Sequence, residues 1–385
     1  MSPVQPETLA SLVRTRRVLI TVGAGGVGKT TTAAALGLAA AKRGRRVLVL
    51  TIDPARRLAE SLGIERMSTE AADIDPARFE AIGYPLEGSL TAMMLDTKRT
   101  FDDLVIRHSS SPEKAKKLLE NKLYQYVSTS LAGTQEYMAM EKLVAVKNDP
   151  RWDLVILDTP PTANALDFLD APERLMQALD SATMKWFIEA FQTSGKLSLN
   201  LLARSAAMVL RGIGKITGGG FLEAMAELIT ELNDLFGGFK HRAAQVQRAL
   251  RTPEVAFVLV TSPSPMSIRE VLYFAERLEE HSMARGAFVV NRFRTSPKLA
   301  GVTIPARDID AAIAASGITL DDDAAARLSK AHADAESLAS LDARNARALT
   351  STNGIPIVRV RELASDVHDL KLLSQLAEML MFGGI

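Results

Sequence analysis

The sequence contains no cysteine in its 385 residues. This absence excludes disulfide bonds, cysteine-ligated zinc, a thiolate nucleophile and a thiolate site for a soft metalloid. Any interface between two copies of the chain, and any ligand site, must therefore be built from other side chains.

The sequence also lacks an excess of charge of one sign and a long hydrophobic run. It contains 46 lysine and arginine residues and 45 aspartate and glutamate residues, which gives a net charge of +1. No basic excess therefore indicates a nucleic-acid partner. No uncharged apolar stretch reaches about 18 residues, so we expect no membrane span. Residues 1–17 carry Arg14, Arg16 and Arg17 and do not resemble a signal peptide. We therefore expect a soluble, cytoplasmic protein.

A glycine-rich stretch at residues 23–31 follows an apolar run and precedes an alanine-rich segment. It satisfies the pattern G-x-x-x-x-G-K-[ST] between a predicted strand and a predicted helix, the context that indicates a phosphate-binding loop. Glycines let successive N–H groups turn towards an anion. A glycine-rich turn without a ligand would need neither the lysine nor the hydroxyl beside it. The predicted nucleotide-binding residues are Gly25, Gly26, Val27, Gly28, Lys29, Thr30 and Thr31.

Two of these residues have a specific predicted chemistry. Lys29 is expected to place its charge on the β- and γ-phosphates, where it would also assist catalysis. The Thr30 hydroxyl is expected to occupy one position on Mg²⁺. The start of the following helix adds a partial positive charge at the same place.

Two further apolar runs each end in an aspartate, Asp53 and Asp158. Ligands of open α/β sheets lie beyond the carboxyl ends of the strands, so both aspartates should lie on the edge that carries the glycine-rich loop. Asp53 is a candidate to orient or deprotonate an attacking water, and a turn or helix cap is an equally weighted alternative. Asp158 has the form of a Walker B residue and is the predicted second Mg²⁺ ligand.

Strand and helix patterns alternate along the remainder of the chain, which predicts an α/β fold with a doubly wound, mostly parallel sheet. One strand is predicted to end at Asn291, whose amide suits a purine edge, with a simple strand-end turn as the alternative. The region 112–147 is predicted to be helical and interrupted near Gly133. A closing helix is expected over residues 367–381.

Residues 171–251 differ from their surroundings, because bulky apolar residues cluster there between flexible glycines. Spacings of three and four in 222–236 predict an amphipathic helix. These faces could pack on one another, or they could form a groove for an apolar helix of another protein. The predicted division is a P-loop core at 1–170, a helical insertion at 171–251 that is a candidate to bind such a helix, and the second part of the core at 252–385.

Taken together, these motifs resemble the ArsA family of deviant P-loop ATPases, which contains arsenite-pump ATPases and ATPases that target tail-anchored proteins. The resemblance implies that Asp53 activates water, that Asp158 lies in the second switch, that residues 133–136 form a glycine-acid motif and that Asn291 contacts adenine. Residues 357–370 are similar to the family's adenine-side loop and last helix. The family further implies a homodimer that closes on ATP and opens on hydrolysis.

Two departures from the family pattern matter. Ala24 occupies the position of the family's signature lysine, which crosses the dimer to the partner's phosphates. Hydrolysis is then slower and less dependent on the dimer, or Arg56 or Arg57 supplies the missing charge. The lack of cysteine removes both the zinc site of the eukaryotic chaperones and the thiolates of the arsenite pumps.

The resulting hypothesis is a Mg²⁺-dependent ATPase whose dimer, homodimeric or formed with a sister chain, closes with ATP and regulates binding or targeting of a hydrophobic helix. One alternative is the energising ATPase subunit of an anion efflux system for arsenite or another oxyanion. Another is a positional switch similar to MinD and ParA. The last helix carries acidic residues and matches an anionic membrane surface poorly.

Overall fold

A computed structural model describes most of the chain. The described residues are 7–52, 56–64, 68–121, 124–125, 128, 134–159, 241–296, 306–317, 323–352 and 354–383. Asp53, Gly133, residues 160–162 and most of the predicted insertion lie outside these ranges.

The described strands form one eight-stranded sheet in the order β3-β4-β2-β5-β1-β6-β7-β8. All neighbouring pairs are parallel except β3 with β4. The predicted α/β class with a mostly parallel sheet is therefore confirmed. The strands are β1 (Val18–Val22), β2 (Arg46–Thr51), β3 (Ala72–Asp73), β4 (Ser89–Met94), β5 (Leu154–Asp158), β6 (Val255–Thr261), β7 (Arg285–Phe293) and β8 (Ile357–Arg361).

Helices cover both faces of this sheet, and a 3₁₀ helix spans Arg347–Ser351. The α-helices within the described ranges include α1 (Leu9–Thr15), α2 (Lys29–Lys42), α3 (Arg56–Ser61), α4 (Ala77–Glu80), α5 (Thr97–His108), α6 (Pro112–Glu120), α7 (Thr134–Lys147), α8 (Pro265–Glu280), α9 (Ala306–Ser316), α10 (Ala324–Ala346) and α11 (Leu370–Phe382). Residues 241–250 are also helical.

The central strands are buried on both faces because successive side chains alternate between two apolar cores. In β2, Val47 and Val49 join the core under α1, α2 and α11, whereas Leu48 and Leu50 join the core under α7, α8 and residues 241–250. This double burial explains why the strands read as continuous apolar runs. The helical end of the predicted insertion, residues 241–250, packs into the second of these cores.

Helix α2 is rich in alanine because it lies close to the sheet. A Cβ added at Gly37 would stand 2.7 Å from Cγ2 of Val49. A third, smaller cluster joins α5, α6 and α7 around Tyr124 and Tyr137.

Three predicted element boundaries differ from the structure. The closing helix, expected over residues 367–381, is α11 and spans Leu370–Phe382. The helix that begins at Pro112 ends at Glu120, well before the predicted break near Gly133. Asn121 has extended torsions, and its Oδ1 accepts the N–H of Tyr124, so it ends one helical segment and caps the next turn. Strand β7 continues past Asn291 to Phe293, with an irregular register between Val290 and Phe293.

Candidate functional site

The glycine-rich loop leaves β1 in close contact with the neighbouring strand β6. A Cβ at Gly23 would lie 2.0 Å from the carbonyl oxygen of Val260, so only glycine fits there. The loop ends at Gly28, which has φ of +96° and precedes the first residue of α2. The structure thus forms the strand, loop and helix on which the predicted phosphate site depends.

Asn291 packs directly on this loop. Its Nδ2 donates a hydrogen bond of 2.9 Å to the carbonyl oxygen of Val27. A Cβ at Gly28 would lie 2.2 Å from the same nitrogen. The next residue, Arg292, has φ of +55°, at the irregular register between β7 and β8. Such irregularities redirect side chains. The predicted contact of Asn291 with adenine remains a prediction.

Lys29 is the first residue of α2, and its side chain turns back into the loop. Its Nζ donates a 2.8 Å hydrogen bond to the carbonyl oxygen of Ala24. Burial lowers the pKa of Lys29, while the negative charge of Asp158 acts in the opposite direction. The ammonium group therefore lies beside the carbonyl oxygen of Ala24, within electrostatic reach of the carboxylate at the end of β5.

Asp158 is 2% exposed and lies between two buried threonines on the neighbouring strands. The sheet register aligns Thr21 of β1 and Thr51 of β2 with Asp158 of β5. The Thr51 hydroxyl donates to Oδ2 of Asp158 over 3.2 Å. The Thr21 hydroxyl is 3.3 Å from the carbonyl oxygen of Leu157 and 3.5 Å from Oδ1 of Asp158. Thr159 donates in turn to the carbonyl oxygen of Thr21.

Neither threonine was among the residues predicted for the site. A signal for them was present, because Thr21 stands two residues before Gly23 and Thr51 two residues before Asp53. Each is thus a buried polar residue that follows at least three apolar residues at, or one residue before, the carboxyl end of its strand.

A cavity of about 540 Å³ opens beside the loop. Its lining includes Gly26, Gly28 and Thr31 of the loop, together with Asn291 and residues 360–368. Arg292 lines the same cavity and makes a 3.1 Å ion pair with Asp366. The volume suits a small organic ligand such as a nucleotide. The segment predicted to resemble an adenine-side loop therefore lines one cavity with the glycine-rich loop.

The two residues predicted to hold Mg²⁺ carry oxygen atoms, which a hard divalent cation prefers. Asp158 has a carboxylate at the end of β5, and Thr30 has a hydroxyl in the first turn of α2. Within the described ranges, no group of three or more His, Cys, Asp or Glu residues could hold a metal ion by itself. This donor set agrees with Mg²⁺, which usually keeps waters and binds one or two protein ligands together with phosphate oxygens.

Other predicted residues cannot be placed. Asp53 lies outside the described residues, as do Gly133 and residues 160–162. Arg56 and Arg57 begin α3, but only their backbone is described. None of the helices in the described ranges combines the length and apolar character needed to cross a bilayer.

Comparison with known proteins points to one family. The sequence profile described as "Anion-transporting ATPase" matches residues 16–298. The chain is similar to "ATPase get3" of Aspergillus terreus, with 26% identity over 74% of this chain and 76% of the relative. It is also similar to "ATPase GET3" of Phaeosphaeria nodorum, with 26% identity over 72% of this chain and 77% of the relative. A third similar protein is "ATPase GET3" of Malassezia globosa, with 25% identity over 76% of this chain and 78% of the relative.

Proposed function

This chain belongs to the anion-transporting ATPase (ArsA) family and is an ATP hydrolase, and we propose that its hydrolysis of ATP requires Mg²⁺ and drives a dimer that captures a hydrophobic protein segment. In this proposal the dimer, formed by two copies or with a sister chain, closes with ATP and opens after hydrolysis. The protein would act in the cytoplasm.

The observation that carries the nucleotide part of the proposal is the cavity of about 540 Å³ that Gly26, Gly28 and Thr31 of the glycine-rich loop line together with Asn291 and residues 360–368. Loop amides from Gly25 to Thr31 would hold the phosphates, and Lys29 would neutralise charge on the β- and γ-phosphates. When bound between Thr30 and Asp158, Mg²⁺ would supply further positive charge to the same oxygens. Asp53 would orient water, and Asn291 would contact the adenine.

Replacing Asp53 tests the catalytic assignment. Asp53→Asn should abolish hydrolysis of ATP while the affinity for a fluorescent ATP analogue stays near that of the wild type, because the substitution removes a base and leaves the loop intact. An unaltered turnover would remove Asp53 from the mechanism.

If Arg56→Ala and Arg57→Ala both retain wild-type turnover, neither arginine replaces the lysine missing at position 24.

One feature supports a protein client over a metalloid anion, because the chain has no cysteine with which to bind a metalloid. We predict a separate subdomain at 171–251, and its apolar residues would supply the contacts for a client. The efflux subunit remains a second candidate, because the family as a whole is described as anion-transporting.

The third hypothesis is a positional switch similar to MinD and ParA, and its membrane-bound form is weakened by the packing of α11. Leu373, Leu376 and Leu380 of this helix are buried in the core that it shares with α2. Its apolar face is therefore engaged within the fold, and a surface helix that binds lipid needs that face free.

The client hypothesis can be tested with defined probes. An apolar helix of about 20 residues would be fused to a soluble carrier, and the control would carry arginines on the same helix. In MgATP the Asp53→Asn protein should bind the apolar fusion and should not bind the control fusion. Hydrolysis stimulated by arsenite or another oxyanion, without retention of the apolar fusion, would favour the efflux candidate.

A further inference from the structure

The hydroxyl of Thr51 connects two parts of the proposed site that come from different strands. Thr51 is fully buried near the end of β2, and Asp158 ends β5 beside it. The chain continues from Thr51 to Asp53, only two residues later. A single side chain thus joins the proposed metal carboxylate to the strand that leads to the proposed catalytic aspartate.

A buried carboxylate needs hydrogen-bond donors to fix its rotation and to offset the loss of hydration. The Thr51 hydroxyl donates to Oδ2 of Asp158 at 3.2 Å. The contact of Thr21 with the other oxygen is longer, at 3.5 Å, and its hydroxyl is closer to the carbonyl oxygen of Leu157. Thr51 is therefore the better placed of the two threonines to orient the carboxylate.

We propose that Thr51 is a positioning residue that orients the Asp158 carboxylate for the divalent cation. This inference rests on the proposed role of Asp158 and adds the group that holds it. A partner that orients a metal ligand is typically worth about 10-fold to 100-fold in metal affinity. Because the nucleotide phosphates would also bind the metal, we expect an effect at the lower end of this range.

The decisive substitution is Thr51→Val, which keeps the branched shape of the side chain and removes the hydroxyl. Thr51→Ser restores a hydroxyl, and Thr51→Ala is a second hydroxyl-free variant in case valine prevents folding. The matched control is Thr91→Val. Thr91 is equally buried in β4, and its hydroxyl donates to Asp73, a carboxylate that belongs to the antiparallel edge of the sheet.

The measurement is the Mg²⁺ concentration at half-saturation in titrations of full-length protein with a bound fluorescent ATP analogue. Direct Mn²⁺ binding, measured by electron paramagnetic resonance, is the second readout. We expect about a 10-fold increase in the required Mg²⁺ for Thr51→Val, with unchanged nucleotide affinity in EDTA. Thr51→Ser should return most of the lost metal affinity, and Thr91→Val should match the wild type.

The inference is overturned if Thr51→Val requires the same Mg²⁺ concentration as the wild type. It is also overturned if Thr91→Val loses as much Mg²⁺ affinity as Thr51→Val, because the effect would then reflect general damage to the sheet. Asp158→Asn separates this outcome from failure of the proposed function. If Asp158→Asn also leaves the Mg²⁺ requirement unchanged, the assignment of Asp158 itself is wrong. If only Asp158→Asn raises it, the role of Thr51 alone is rejected.

Discussion

Loss of Arg242 should destabilise the protein far more than loss of an exposed arginine. Glu141 on α7 is 2% exposed and accepts two hydrogen bonds from Arg242, at 2.6 and 3.0 Å. Tyr137 donates a further hydrogen bond of 2.7 Å to the same carboxylate. Arg242 lies in the helical residues 241–250, so the pair links this helical segment to α7, the helix that precedes β5.

Arg242→Met leaves the carboxylate buried with Tyr137 as its remaining donor among the contacts given above. Removal of one partner of a buried pair costs about 3–5 kcal/mol of unfolding free energy. The double variant Glu141→Leu with Arg242→Met removes both charges and should recover most of that loss, because an apolar replacement of a buried pair is often neutral or better.

The assay is urea unfolding followed by circular dichroism, with Arg151→Met as the control. Arg151 pairs with Asp149 but is 67% exposed, so its loss should cost about 0–1 kcal/mol. The reasoning is refuted if Arg242→Met costs no more unfolding free energy than Arg151→Met, or if the double variant is less stable than Arg242→Met.

His108 offers a second readout, because burial and the charge of Arg242 both lower its pKa. In Arg242→Met the pKa of His108, followed by nuclear magnetic resonance, should rise.

Two further outcomes are expected. Gly28→Ala should weaken binding of a fluorescent ATP analogue, because the new Cβ would displace Asn291 from the loop. Gly83→Ala, also at positive φ but in open space, should cost about 1–2 kcal/mol of stability and leave nucleotide affinity unchanged. The guanidinium of Arg46 lowers the pKa of Asp153 to about 2. The contribution of this pair to stability is therefore complete above the ordinary pKa of an aspartate and is lost as the pH falls towards 2. The difference in urea midpoint between the wild type and Asp153→Asn should shrink over that range, and a constant difference would contradict the assignment.

The sequence was most informative where one physical signal dominates. Strands buried on both faces must be apolar throughout, so β1, β2, β5 and β6 could be located from their runs alone. The phosphate loop could also be predicted, because its glycines, Lys29 and Thr30 are consecutive in the chain.

Elements that depend on few residues or on distant contacts were missed. Helix α1 has only 7 residues, although Leu9, Leu12 and Val13 have helical spacing and Thr8 and Ser11 form a capping box. Strand β3 has 2 residues and no readable alternation. The end of α6 depends on one cap at Asn121, which a pattern of helical spacing does not reveal.

The candidate site shows the same division. Lys29 and Asp158 could be proposed from local patterns, but the contact of Asn291 with Val27 joins residues 264 positions apart. The placement of Thr51 beside Asp158 depends on β5 lying between β1 and β2. No local pattern specifies that order of strands.

The position of α11 has a consequence for synthesis of the protein. Lys42, in the helix that follows the phosphate loop, pairs at 2.7 Å with Glu378, which is 336 residues further along the chain. On the ribosome, the side of α2 that α11 covers therefore stays open until α11 has been synthesised. We expect a nascent chain arrested before residue 370 to expose small apolar side chains of α2 that are buried once α11 has docked.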